Sequence, residues 1–84
     1  MGFRREKRLT EYPLPEAVEV SYQRSQHMDR ATLLTWSEAT AVNIDRLLSE
    51  YRKGQVSAAE EAHHQALQLV GMTRAIVELS VPGL

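Results

Sequence analysis

Two helix-period stretches separated by a short glycine-containing turn constrain this 84-residue chain more than any other feature. Between Asp29 and Ser80 apolar residues recur every three or four positions, broken only at Arg52-Lys53-Gly54-Gln55-Val56. A chain of this pattern has to fold back on itself as an antiparallel helical hairpin, because each amphipathic stripe needs a surface to cover it. Gly54 supplies the positive φ with which such helices commonly end, and Arg52 and Lys53 place positive charge at the negative end of the helix dipole. The string Ser57-Ala58-Ala59-Glu60 has the capping-box pattern, in which Ser57 and Glu60 would each satisfy a free backbone N–H at the start of the next helix.

The first helix is expected to begin with Asp29 as its N-cap, or one turn earlier at Ser25, and to run to Tyr51 or Arg52. Leu34, Ala41, Ile44, Leu48 and Tyr51 are expected to form its core-facing stripe, with Leu33, Trp36, Thr40 and Leu47 on its flank. Glu38, Asp45, Arg46, Ser49 and Glu50 would face solvent. Trp36, the only tryptophan, would lie at the stripe's edge, either buried in the fold's own core or serving as an interface anchor.

The second helix, Ala58 to about Leu79, changes character along its length. Ala59, Ala62 and Ala66 form a small-residue stripe that admits a close neighbour. Leu67, Leu69, Val70, Met72, Ala75, Ile76, Val77 and Leu79 then leave the second half apolar nearly all round, and such a helix must be covered on most sides. One partner helix and a short arm cannot do this, so the hairpin is expected to pair with a copy of itself in a four-helix bundle. Gly71, inside the same helix, disfavours the helical state by about 1 kcal/mol relative to alanine. A close helix crossing accounts for it most directly, with a hinge as the alternative.

Residues 1–28 read as an arm. Pro13 and Pro15 stiffen a connector. Val18, Val20 and Tyr22 alternate with Glu19, Ser21 and Gln23, a strand-like period of two, whereas Pro15 and Glu16 suit a helix start. A short helix or extended arm laying Val18, Val20 and Tyr22 onto the hairpin is the expected outcome. Residues 81–84 form a stub. The fold expected is therefore all-α: an arm over 1–28, a two-helix antiparallel hairpin over 29–80 and a dimerising surface on its second helix.

Charge is unevenly placed. Arg4, Arg5, Lys7 and Arg8 against Glu6 leave the first eight residues at +3, and the rest of a chain of net charge −1 at −4. Such an arm suits phosphate or an acidic protein surface, which makes nucleic-acid contact through these four side chains an alternative function. A helix-turn-helix reader is disfavoured, because Ser57–Leu69 offers acidic residues before any arginine or lysine. The absence of cysteine removes disulfides, thiolate ligands and cysteine nucleophiles. No signal-peptide pattern follows the basic start, which makes the cytoplasm the expected location, and no apolar run is long enough to span a bilayer.

Glu60-Glu61-Ala62-His63-His64 holds two overlapping Glu-x-x-His pairs, the spacing used by carboxylate-bridged di-metal sites in helical bundles and resembling one half of a ferritin-like site. Glu50, Glu61 and His64 are the candidate ligands of this weaker second alternative. Helical geometry argues against it, placing Glu60 and His64 nearly away from the core. No nucleophile motif or phosphate-binding glycine loop is present, so neither an enzyme nor a bound cofactor is expected. The expectation is a regulator, inhibitor or adaptor that binds itself and another protein. Its candidate interface comprises Trp36, Leu67, Val70, Met72, Ile76, Val77 and Leu79, with Val18, Val20 and Tyr22 from the arm.

Overall fold

The computed structural model describes residues 7–80. A 3₁₀ turn at Leu9–Glu11 precedes three helices: α1 over Leu14–Ser25, α2 over Arg30–Arg52 and α3 over Ser57–Ser80. Among the described residues there is no strand. α2 and α3 pack against each other, but a two-helix unit is not the whole fold. α3 is the spine: α1 and α2 both pack extensively against it, and they barely touch one another.

α2 starts where its cap is. Asp29 has extended backbone and its carboxylate accepts the Thr32 N–H at 2.8 Å, satisfying one of the free donors of the first turn. At the far end Gly54 adopts φ +109°, and its N–H reaches the Tyr51 carbonyl at 2.9 Å. The capping box does not form as expected. Ser57 is already the first residue of α3, and the next N–H groups are taken by backbone, Ala58 to the Gln55 carbonyl and Ala59 to that of Val56, each at 3.1 Å.

The side of α2 that faces α3 is one residue out of phase with the expected stripe. Leu33, Ser37 and Leu47 are buried and Ile44 is half-buried, whereas Leu34 and Leu48 are exposed. One residue is about 100° around a helix, so the seam moved while the apolar sector stayed. Leu33 meets Met72 and Ala75 at one end of the seam, and Leu47 meets Ala58 and Ala62 at the other. Between them Asn43 donates to the Gln65 side-chain oxygen at 2.6 Å.

In place of an arm of uncertain form, residues 14–25 are a helix. Pro15 lies in its first turn, where a missing N–H costs nothing, and Glu16 lies near its positive end. Its buried face is Ala17, Ser21 and Ser25, four residues apart. Val18, Val20 and Tyr22 are only half-buried. The serines are buried without loss because each hydroxyl has a carbonyl: Ser21 donates to Gln68 at 2.6 Å and Ser25 to Ser21 at 2.7 Å. Gly71 explains the choice of small residues. A Cβ there would lie 2.6 Å from the Val18 carbonyl oxygen, 2.7 Å from the Tyr22 nitrogen and 2.9 Å from the Ser21 Cβ. The close crossing expected at Gly71 exists, and the helix it admits is α1.

Candidate interaction surfaces

The three helices leave an inverted distribution of side-chain size. Among the described residues seven hydrophobic side chains are buried, and four of them are alanine: Ala17, Ala58, Ala62 and Ala75, alongside Leu33, Leu47 and Met72. Outside lie Leu34, Trp36, Val42, Leu48, Tyr51, Val70, Val77 and Leu79, all more than a third exposed. Scattered exposed hydrophobics are ordinary on a protein surface; a contiguous set is not.

The wheel of each helix sorts these residues. Leu34, Ala41 and Leu48 repeat every seven positions, about 100° from the core stripe Leu33, Thr40 and Leu47. On α3 the corresponding set beside Ala62, Leu69 and Ile76 is Ala59, Ala66 and Thr73, with Val70 next to it. Because α2 and α3 run antiparallel, these two stripes share one side of the hairpin. The Asn43–Gln65 contact and the Gln65 to Glu61 hydrogen bond at 3.1 Å mark the other side. α1, packed at Gln68 and Gly71, also lies away from the Leu34–Ala41–Leu48 side. That side is open.

Trp36 is 53% exposed and thus not part of the core. It lies about 160° round α2 from Leu34, on the side that α1 occupies. The remaining sequence-derived interface positions separate. Val70, Val77 and Leu79 are exposed and Leu67 is half-buried. Met72 is 2% exposed and belongs to the molecule's own core, and Ile76 packs against that core beside Tyr22. What hydropathy alone could not show is which of the two adjacent α2 stripes α3 would cover.

Tyr22 joins α1 to α3 by polar contacts as well. Its hydroxyl donates to Glu78 at 2.7 Å and accepts from Gln26 at 2.9 Å, and the Arg74 guanidinium lies 3.9 Å from its ring centroid. Arg74 is also 3.8 Å from Glu78 and 4.0 Å from Glu19. The hydrogen bond to Glu78, then desolvation and the carboxylate's charge, hold the phenol above its ordinary value of 10.0.

The metal alternative does not assemble. Glu50 is engaged by Arg46 at 2.6 Å and Glu61 accepts from Gln65. His64, expected to point away from the fold, is half-buried, with Nε2 3.0 Å from the Leu9 carbonyl oxygen, which can only accept. Among the described residues no three histidines or carboxylates converge as a metal site. A depression of about 400 Å³ along the outer face of α2, lined by Thr35, Glu38, Ala39, Val42, Asn43 and Arg46, is formed by one helix alone and is open to solvent. A space of about 200 Å³ between the end of α1 and α3, lined by Ser25, Gln26, Ala75, Glu78 and Leu79, is smaller than ordinary ligand pockets.

Of the basic arm, Arg4 and Arg5 lie outside the described residues. Arg8 is exposed, and Lys7 lies 5.5 Å above the Tyr12 ring while its carbonyl accepts from Arg24. No helix among the described residues is long and apolar enough to cross a membrane. No protein-family model matches the chain, and neither curated proteins nor solved structures yield a match.

Proposed function

We propose that this chain is a small helical protein–protein interaction module, acting as a regulator, inhibitor or adaptor by docking on another protein and associating with itself. One observation carries the reading: small side chains fill the core while the larger ones, Trp36 foremost, stand outside. Binding surfaces draw most of their energy from a few such aromatic and aliphatic anchors. Self-association engages α3 through Val70 and its neighbours, and the Trp36 side is left to the second protein.

A tagged full-length chain incubated with cell lysate, with and without nuclease, tests this. The expected result is a discrete protein that survives nuclease and is lost with Trp36→Ala, a change that leaves helicity and thermal stability within experimental error. Purified with that protein, wild-type chain should show a blue shift of its single tryptophan's emission. Recovery of nucleic acid alone, dependent on residues 1–9, would replace this reading with arm-driven nucleic-acid binding.

A further inference from the structure

We propose that the open side of the α2–α3 hairpin is covered by a second copy of this chain, with each α2 lying along the partner's α3 about a two-fold axis parallel to the helices. The proposal rests on the reading of the exposed apolar residues as binding surface and fixes both the face and its occupant.

Shape comes first. Leu34 is 38% exposed, Leu48 48% and Val70 52%, and Ala41 and Ala66 lie between them along the hairpin. Leu34 and Leu48 stand toward the two ends of this strip and Val70 near its middle, level with Ala41, and the small Ala41 and Ala66 beside Val70 let another helix pair approach closely. α1 does not intrude, because it docks on the Gln68–Gly71 side. A helix of 23 residues is about 35 Å long at 1.5 Å per residue, and two helices packed side by side are about 20 Å wide. The strip thus offers about 700 Å² per copy, or about 1,400 Å² in total, which falls within the range of stable, specific interfaces. That extent matches another hairpin of the same length.

Charge then selects the arrangement. The outer edge of α2 beside the strip carries Glu38 and Asp45, and the outer edge of α3 carries His63 and Arg74. With the two-fold axis along the helices, residues keep their height. The contacts Thr40 to Met72 and Leu47 to Ala62 set Glu38 level with the partner's Arg74, and Asp45 level with the partner's His63. Rotation about the perpendicular in-plane axis would instead bring α2 against the partner's α2, where the edges carry like charge at Glu38 and Asp45. Like charges across an interface disfavour that pairing. Arg74 can serve both contacts, since its guanidinium over Tyr22 leaves more than half of the side chain accessible.

Sedimentation equilibrium of the full chain at about 5–200 µM reads the outcome directly. The expected mass is twice 9.5 kDa, and Val70→Glu and Ala41→Glu each raise the dissociation constant at least tenfold with helicity unchanged. Asp45→Lys removes the hydrogen-bond acceptor level with the partner's His63 and weakens the dimer, and adding His63→Glu restores it, because the double change sets an acid level with a base. A wild-type chain that stays at monomer mass throughout overturns the proposal, as does a dimer indifferent to both glutamate variants. A dimer in which Asp45→Lys has no effect, or is not rescued, overturns the arrangement about the parallel axis. A monomer that still captures a protein through Trp36 would sink this proposal together with the self-association above, and leave the docking function standing. A dimer that captures nothing would sink only the docking function above.

Discussion

Adding one methyl group at position 71 should do the opposite of what helix propensity dictates. Glycine to alanine in a helix interior ordinarily gains about 1 kcal/mol, but here the new carbon would meet backbone atoms of Val18 and Tyr22 at 2.6 and 2.7 Å. Overpacking of this kind costs about 1–3 kcal/mol. Gly71→Ala should therefore lower stability in urea denaturation, and a stabilised variant would show that α1 does not cross α3 there. Asp29 supplies a second residue-scale test. Thr32, through its side chain and then its N–H, holds the Asp29 carboxyl below its ordinary value of 3.8. A depressed folded-state value means that the cap's contribution is complete above the ordinary value and disappears as pH falls through the lowered one. The stability gap between wild type and Asp29→Ala should stay constant from pH 7 to 5 and close below about pH 4. Asp29→Asn, which keeps an acceptor without titrating, should show no such change.

At the scale of elements, the two packings on α3 differ in kind. α2 contributes Leu33 and Leu47 to apolar clusters, whereas α1 contributes Ala17, Ser21 and Ser25, small residues whose burial removes little apolar area from water. Beyond these, only Tyr22 of α1 packs at the margin of the Leu33–Met72–Ala75 cluster, and its polar contacts to Glu78 and Arg74 of α3 are exposed. α1 should accordingly open without the rest of the molecule. In native-state hydrogen exchange the Val18–Tyr22 amides should exchange through a cheaper opening than those of Leu33–Leu47; equal protection would contradict this. The same contrast explains what was legible beforehand. The α2–α3 hairpin, its Asp29 cap and its Gly54 turn are written in period, cap chemistry and glycine placement, all local signals. α1 stayed open between a short helix and an extended arm because two of the three residues on its packed face, Ser21 and Ser25 beside Ala17, are serines that hydropathy counts as solvent-facing, and because Val18, Val20 and Tyr22 imitate a strand's alternation. The phase of α2 was undetermined because Leu33-Leu34 and Leu47-Leu48 each offer two adjacent leucines, and only the tertiary neighbour selects between them. The candidate surface inherited that ambiguity. Val70, Val77 and Leu79 could be found from their helix alone; Leu34 and Leu48 could not.

For the molecule as a whole, the buried hydrophobic core among the described residues is small, four alanines and three larger residues. If a second copy covers the open side, the folded state is drawn toward the dimer by mass action, and the melting temperature should rise with protein concentration. A hundredfold range of concentration shifts the balance by about 2.7 kcal/mol, readily detected in a domain of this size. A melting temperature independent of concentration would mark a self-sufficient monomer. The position of α3 as the shared spine has a further consequence, which concerns time. α1 and α2 are made before it and barely touch each other, and the hydrogen bonds from α1 span 47 and 56 residues to reach it. On the ribosome, then, the first two helices emerge with no tertiary surface to join. The chain stays unassembled until Gly71 and the residues around it have been synthesised, so that folding waits on α3 and does not accompany the synthesis of α1 and α2.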